Sequence, residues 1–286
     1  MKYFLNKKEN IYNLKKLDLK KFNKVGGLRT KDIFKKQSKK KPLITIITVV
    51  KNDKENILET IKSVTSQSYK NIEYIVIDGK SSDGTLNKIQ SYEKKIDLWI
   101  SKKDKNLWEA LNLGIKFARG DVIGILNSKD YFYKDSIKTV AKYFIKNKID
   151  FLFGAVKKHK VFYKFEPKKI YYRFNIYPAH SCGFFIKKEI QKTVGLYNSN
   201  YKYCSDYDYF YRLIVKKKKK GMATKKNEVI GKFDLNGISS KVTFFKTYFY
   251  EMKVRYDNGQ NIIFLFFLFL TKILNKIRNT IFSLSN

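Results

Sequence analysis

"LITIITVV", residues 43–50, is an unbroken run of apolar and β-branched residues, and the polar "KND" (51–53) follows it at once. A strand with one wet face alternates apolar with polar positions. A continuous run instead fits a strand covered on both sides, as in a parallel sheet flanked by helices. The next segment, "ENILETIKSVTSQS" (55–68), carries Ile57, Ile61 and Val64 at helical spacing. "IEYIVID" (72–78) repeats the strand signature, and "SSDGTLNKIQSYEKK" (81–95) reads as a turn and helix with Ser82 or Asp83 as the cap.

The alternation continues. "IDLWIS" (96–101) is a shorter strand, and "NLWEALNLGIKFARG" (106–120) is a helix. That helix places Leu107, Leu111, Ile115 and Ala118 on one face, with Gly120 as its stop. "DVIGILN" (121–127) is a strand, 135–147 a helix, and "DFLFGAV" (150–156) a further strand. Strands separated by helices predict right-handed crossovers and an α/β fold with a largely parallel sheet. Neither a GxGxxG fingerprint nor a P-loop is present, so neither of those phosphate-binding turns explains the domain.

Polar residues fall where the strands end. Lys51, Asn52 and Asp53 follow the first strand, Asp78 closes the second, Lys102 to Lys105 follow the third, and Asn127 to Asp130 follow the fourth. Open α/β sheets bind ligands outside the carboxyl ends of their strands. Four successive strands thus deliver carboxylates, amides and lysines to one rim, which predicts a pocket there.

Composition narrows the ligand classes. Hydrophobic residues make up 43% of the 286-residue chain and aromatics 16%, enough for a sizeable core. Lys and Arg number 61 against 25 Asp and Glu, a net charge of +36 that favours anionic partners such as phosphate-bearing ligands and acidic lipid. Zinc-finger spacing, an RNP-like motif and a basic zipper are all absent, so a nucleic-acid partner is not expected. Cys182 and Cys204 form no CxxC pair, which suits a reduced, intracellular setting. The opening "MKYFLNKKEN" lacks the apolar run of a signal peptide.

Three regions are expected: a basic N-terminal extension over 1–41, partly ordered against the domain, a domain over 42–240 and a helical tail over 241–286. Within the domain's second half, "YPAHSCGFFIKKEI" (177–190) joins His180 to a possible buried strand. "KYCSDYDYFYRLI" (202–214) sets Asp206 and Asp208 two apart ahead of an apolar helical run, and "KKKKK" (216–220) reads as a solvated helix end. In the tail, "NIIFLFFLFLTKILNKIRNTIF" (261–282) has an unbroken apolar core of only Ile262 to Leu270. That falls short of the roughly 20 residues needed to span a bilayer. Lys272, Lys276 and Arg278 follow, as in a helix lying at an anionic membrane surface. The bland reading is a helix packed on the domain.

Several stretches together resemble the family-2 glycosyltransferases, inverting enzymes with a GT-A (Rossmann-like) fold, and specifically bacterial members that build surface polysaccharide such as capsule or lipopolysaccharide. They are "PLITIITVVKN", "SVTSQSYKNIEYIVIDGKSSDGT", "ISKKDKNLWEALNLGIKFARGDVIGILNSKD", "HSCGFFIKKEI", "SDYDYFYR" and "NGISS". The resemblance runs from about Gly26 to Ser240, with the motifs in the family's order. It implies that Asp78 contacts the base or ribose of a nucleotide-sugar donor and that Asn52 lies in the matching donor loop. "NSKD" (127–130) falls on the DXD-type motif whose acidic residues hold Mg²⁺ or Mn²⁺ on the donor diphosphate. Asp206 matches the catalytic base, and His180 lies on the acceptor side, where a glycan or lipid-linked acceptor is expected. The implied site of action is peripheral, on the inner face of the cytoplasmic membrane.

The chain departs from the family pattern inside that motif. Lys129 stands where relatives carry an Asp, and Asp130 is the remaining candidate metal ligand. Asn106 replaces a Gly common after "DK", and Lys80 replaces a Gly in "DGGS". Three readings of 127–130 stay open. Asp130 holds a largely water-coordinated Mg²⁺; the Lys129 ammonium is the counter-charge to the diphosphate; or the site has decayed, leaving an inactive GT-A-like scaffold docked on the membrane. For the other residues the plainer roles are a turn cap for Asp78, a structural histidine for His180 and a helix cap for Asp206, with Asp208 structural.

Overall fold

A computed structural model of the chain describes residues 22, 24–38, 41–173, 176–235 and 243–284. Its centre is the pair of strands anticipated above, β2 (Ile44–Val50) and β3 (Ile72–Asp78), with every residue of both buried. They run parallel, with Val50 level with Asp78. Odd-numbered β2 residues Ile47 and Val49 pack under α3 (Leu107–Phe117) with Trp108, Leu111 and Ile115. Even-numbered Ile44 and Ile46 face Ile57, Ile61 and Val64 of α1 (Ile57–Thr65). Cover on both faces is the physical reason the sequence runs are continuous.

Around this pair, β1 (Lys24–Gly26), β4 (Leu98–Ser101), β5 (Val122–Ile125), β7 (Phe151–Phe153), β10 (Phe184–Lys187) and β11 (Gly221–Ala223) complete an eight-stranded sheet in the order β1-β4-β3-β2-β5-β10-β7-β11. β4, β3, β2 and β5 are mutually parallel, whereas β10 runs antiparallel to both β5 and β7. The helices α2 (Thr85–Gln90), α4 (Ser136–Lys146) and α5 (Lys188–Val194) alternate with the strands. A smaller sheet, ordered β6-β12-β8-β9, comprises β6 (Tyr131–Phe132), β8 (Ala155–Lys157), β9 (Val161–Phe162) and β12 (Val229–Lys232).

Within the 1–41 extension, β1 pairs with β4, and Arg29 is buried with its guanidinium 3.2 Å from Glu73 and 2.8 Å from the Phe117 carbonyl. Two local features differ from the sequence reading. The strand expected over 150–156 divides at Gly154, which hands the chain from the large sheet to the small one. A Cβ at Gly154 would lie 2.3 Å from Ile230, so only glycine allows the crossing. The helix expected to stop at Gly120 ends at Phe117. Gly120 serves instead to let the backbone approach β2, since a Cβ there would sit 2.6 Å from the Thr45 amide nitrogen.

In the second half, α6 (Ser205–Tyr211) continues into a π-helical turn over Arg212–Lys216. The tail forms two helices, α7 (Phe244–Asp257) and α8 (Ile262–Leu284). Asn261 caps α8 through its side-chain oxygen, which accepts from the Ile263 and Phe264 amides. Arg255, fully buried on α7, pairs with Glu251 at 2.9 Å and donates to the Tyr171 carbonyl. No helix among the described residues is long and apolar enough to cross a membrane.

Candidate active site

The rim at the carboxyl ends of β2, β3, β4 and β5 carries the polar groups that the sequence placed there. Asp78, the last residue of β3, is buried, and its carboxylate accepts from the Ser81 hydroxyl at 2.5 Å and the Ser101 hydroxyl at 2.6 Å. Asn52 has a left-handed backbone (φ 49°) and ties the β2 loop to the β3 loop. Its amide donates to Ser81 Oγ at 2.8 Å, and its side-chain oxygen accepts from the Ser82 amide at 2.9 Å. Asn52 and Asp78 therefore share Ser81 and form one rigid ledge. The N-cap of α2 is Gly84, in the left-handed region at φ 94°, and not Ser82 or Asp83; Asp83 stands one residue earlier and accepts from the Thr85 amide and hydroxyl.

Asp104 was hidden in the sequence among lysines. It stands half-buried beside this ledge, its Oδ2 2.7 Å from where a Cβ on Gly79 would be. Burial raises its pKa and the charges of Glu109 and Asp78 add to the rise, while the Lys51 and Lys102 ammoniums oppose it. Asn106 caps α3, accepting from the Trp108 and Glu109 amides at 3.1 Å each. The departure at this position therefore keeps a start signal for the helix.

After β5, residues 127–130 close a turn in which the Asp130 amide donates to the Asn127 carbonyl at 3.1 Å. Lys129, at φ 78°, is exposed, whereas Asp130 is buried at 3% exposure. The Asp130 carboxylate points inward and accepts from the Asp234 amide at 2.8 Å. Burial pushes it up to about 7 and the Asp234 charge adds to the rise; the Ser181 hydroxyl, the Asp234 amide and the Lys158 ammonium pull the other way. Lys158, which lies 4.9 Å from the ring centroids of both Phe162 and Phe233, is the cation behind the loop, a partner that sequence spacing did not reveal. Asn127 leaves its side-chain oxygen buried without a hydrogen-bond partner.

The opposite wall is joined to this loop. The Asn127 amide donates to Ser181 Oγ at 2.7 Å, and the Cys182 amide donates to the Ile125 carbonyl at 2.8 Å. The preceding His180 is buried, with Nε2 2.9 Å from the Tyr197 hydroxyl and its ring edge-on to Trp108 at 5.6 Å. Burial lowers its pKa to about 4 against the nearby Asp206 carboxylate, so the imidazole is neutral at physiological pH. Asp206, in the first turn of α6, accepts from the Tyr177 hydroxyl at 2.9 Å. Asp208 is structural, as anticipated: Arg212 holds it at 2.9 Å and Asn258 donates to its other oxygen at 2.8 Å. The "NGISS" stretch (236–240) lies outside the described residues.

A divalent cation does not fit the donors this loop presents. Mg²⁺ takes oxygen ligands and is ordinarily held by one or two carboxylates together with substrate phosphates. Asp130, the expected ligand, is turned into the interior, and Asp53 is engaged by Asn56 and Ser128 at 2.6 Å each. Among the described residues no group of three His, Cys, Asp or Glu side chains could hold a metal ion.

With two walls of polar residues meeting at the rim of a mixed sheet, the comparisons with known proteins become informative. The profile of glycosyl transferase family 2 matches residues 45–278, and the chain belongs to that family. A glycosyltransferase of Rickettsia typhi is 30% identical over 197 residues, 63% of this chain and 61% of its own length. TuaG of Bacillus subtilis, named for teichuronic acid biosynthesis, is 30% identical over 116 residues, 40% of this chain and 46% of TuaG. This chain thus spans less than two thirds of these relatives. Among solved structures, S. aureus TarS 1–349 in complex with UDP-GlcNAc superposes with a TM-score of 0.59 at 14% identity, covering 74% of this chain and 65% of TarS 1–349. The mannosyltransferase PcManGT of Pyrobaculum calidifontis, in complex with GDP-Man and Mn²⁺, gives 0.59 at 13% identity, covering 77% of this chain and 65% of its own. At such identities the likeness is one of fold, and that fold is GT-A.

Proposed function

We propose that this protein is a membrane-associated glycosyltransferase of bacterial surface-polysaccharide synthesis. It moves one sugar, a hexose, from a nucleotide-sugar donor to a glycan or lipid-linked acceptor, with inversion. The observation that carries this reading is the bond from the Asn127 amide to Ser181 Oγ at 2.7 Å. It fastens the strand-end loop of the donor ledge to the turn bearing His180, which in turn lies close enough to Asp206 to respond to its charge. Displacement in one step needs this adjacency: a base on one side of the anomeric carbon and a diphosphate leaving on the other.

In this reading Asp78 and Asn52 orient the base and ribose, and Asp104 adds a carboxylate to the same ledge. Asp206 takes the proton of the acceptor hydroxyl as its oxygen attacks the anomeric carbon. The bond from that carbon to the diphosphate breaks, and its electron pair leaves with the diphosphate. Fixed positive charge at the rim stabilises the anion that develops. Neutral His180 and the aromatic rings around it form the acceptor wall. The nucleotide-sugar complexes of TarS and PcManGT support the donor class, and the name of TuaG supports the polysaccharide role.

Membrane attachment is supported by α8. Phe266 and Phe267 are 59% and 60% exposed, and Ile262, Ile263 and Leu274 are exposed beside them. Apolar surface of this extent on a basic chain suits the inner, anionic face of a cytoplasmic membrane.

The test is transfer by the full-length chain from UDP-, GDP- and CMP-sugars to a polyprenyl-diphosphate-linked saccharide. Mass spectrometry reads the product and NMR its anomeric configuration. Inverted product from the wild type, with loss of turnover but retained donor binding in Asp206→Asn, is the expected result. Retention of configuration, or full turnover in Asp206→Asn, would sink the proposal. Donor binding without turnover in the wild type would favour the rival reading, an inactive membrane-docked scaffold, which Lys129 keeps in play.

A further inference from the structure

We infer that the loop after β5 holds the donor diphosphate with the Lys129 ammonium in the place where a GT-A site would otherwise carry a divalent cation, so that donor binding is independent of metal. The inference rests on the nucleotide-sugar reading above. Three features of the loop carry it, and none depends on a titration.

The first is the direction of the two charged side chains. Lys129 follows β5 at the rim, is exposed, and makes no hydrogen bond or ion pair among the described residues. Its neighbour Asp130 is buried and bound to the Asp234 amide. A cation arriving at this loop would meet an ammonium first, and the inward carboxylate could not reach it without breaking the bond to Asp234. A diphosphate arriving there meets a compact positive charge with three donors.

The second is backbone strain. Lys129 sits at the third position of the Asn127–Asp130 turn with φ 78°, a conformation that glycine adopts at no steric cost and lysine does not. A turn needing only this shape would be better served by glycine. The exposed Lys129 side chain is what the turn presents to a ligand at this position.

The third is the surrounding donor set. The Asn127 side-chain oxygen is buried and so is not presented to a cation at the surface. The other nearby carboxylate, Asp53, has both oxygens engaged, by Asn56 and by Ser128. This donor set is too little for Mg²⁺ or Mn²⁺, leaving the phosphates to Lys129.

The experiment is isothermal titration of UDP, GDP and CMP and their hexose conjugates into the full-length protein, in EDTA and again with Mn²⁺. Wild type is compared with Lys129→Ala and Lys129→Asp. The expected result is a wild-type Kd for the cognate nucleotide that changes less than threefold between EDTA and Mn²⁺. Lys129→Ala should weaken binding about tenfold or more in EDTA, the loss of one charge-assisted contact. Lys129→Asp should bind poorly in EDTA and recover with Mn²⁺, because it supplies the missing carboxylate. Wild-type binding abolished by EDTA and restored by Mn²⁺ would overturn the inference, as would unchanged affinity of Lys129→Ala in EDTA. Failure of wild type to bind any nucleotide under either condition would instead overturn the transferase reading, and this inference with it.

Discussion

Tyr177 donates its phenolic hydrogen to Asp206 at 2.9 Å across 29 residues of sequence. The half-buried tyrosine packs against Phe153 and Phe210, with ring centroids 5.1 and 4.4 Å away, so the hydroxyl has little freedom to point elsewhere. A general base must present a lone pair in a fixed direction, and a carboxylate with one oxygen held has the other left for substrate.

With Asp206 as the base proposed above, Tyr177 would be its positioning residue. Replacing Asp206 with Asn should lower kcat by about 10²–10⁴-fold, the range for a general base. Tyr177→Phe keeps the ring packing and removes only the bond, so kcat should fall about tenfold while donor KM stays unchanged. Steady-state kinetics with varied donor measures the split. A Tyr177→Phe change confined to KM would assign the tyrosine to binding.

Asp130 predicts a pH dependence of stability. Its folded pKa, about 7, lies above the ordinary carboxylate value of 3.8, so the folded state binds the proton more tightly than the unfolded one. The stability this confers is complete below about pH 4 and is lost as pH rises towards 7. Asparagine mimics the protonated carboxyl and does not titrate. The stability of wild type relative to Asp130→Asn should thus fall by up to a few kcal/mol between pH 4.5 and 7.5 and then level off. Urea melts of both proteins across that range give the difference. A constant difference would mean that Asp130 is ionised throughout.

The buried Arg255 predicts how the tail is fastened. It pairs with Glu251, which also receives Lys272 of α8 at 2.7 Å, and it donates to the Tyr171 carbonyl and to Gln260. Arg255→Met would leave Glu251 buried with one partner fewer and the Tyr171 carbonyl with Gln260 as its remaining donor, at 2.7 Å. The expected cost is about 3–5 kcal/mol, as for other broken buried pairs. Hydrogen exchange should show α7 and α8 opening before the sheet. Uniform loss of protection would place the damage in the whole domain instead.

The reach of the sequence was set by which physical rules leave a pattern. β2 and β3 were legible because cover on both faces demands continuous apolar residues, and their ends located the rim that bears Asn52 and Asp78. Inside the Asn127–Asp130 turn no period applies, so adjacency placed Asp130 on the rim with Lys129, whereas the backbone turns one outward and the other inward. Asp104 went unnoticed because a single carboxylate in "KKDK" looks like part of a solvated run. Tyr177 reaches Asp206 by a hydrogen bond, and the Lys158 charge is felt by Asp130, only because the folded chain brings them together. The crossing at Gly154 was equally hidden, since a glycine in an apolar run does not announce a change of sheet.

The exposed face of α8 sets the last expectation. Its inner side is fixed by the Tyr248 hydroxyl, which donates to the Leu268 carbonyl at 3.0 Å, and by buried Leu265 and Leu268. Phe266 and Phe267 project away from these contacts at 59% and 60% exposure, so replacing them should leave the fold intact. Burying a phenylalanine is worth roughly 1.5–3 kcal/mol. Phe266→Asp with Phe267→Asp should therefore weaken binding to vesicles containing anionic phosphatidylglycerol by about 10²-fold or more, with no change in melting temperature beyond a degree or two. Lipid lysine contacts add a salt-sensitive part, so wild-type binding should also weaken between 0.1 and about 1 M NaCl, where the Debye length falls from about 10 to 3 Å. Vesicle flotation measures both effects. If the double variant floats like wild type, α8 is not the membrane-facing element; if it floats less but salt has no effect, the apolar face alone makes the attachment.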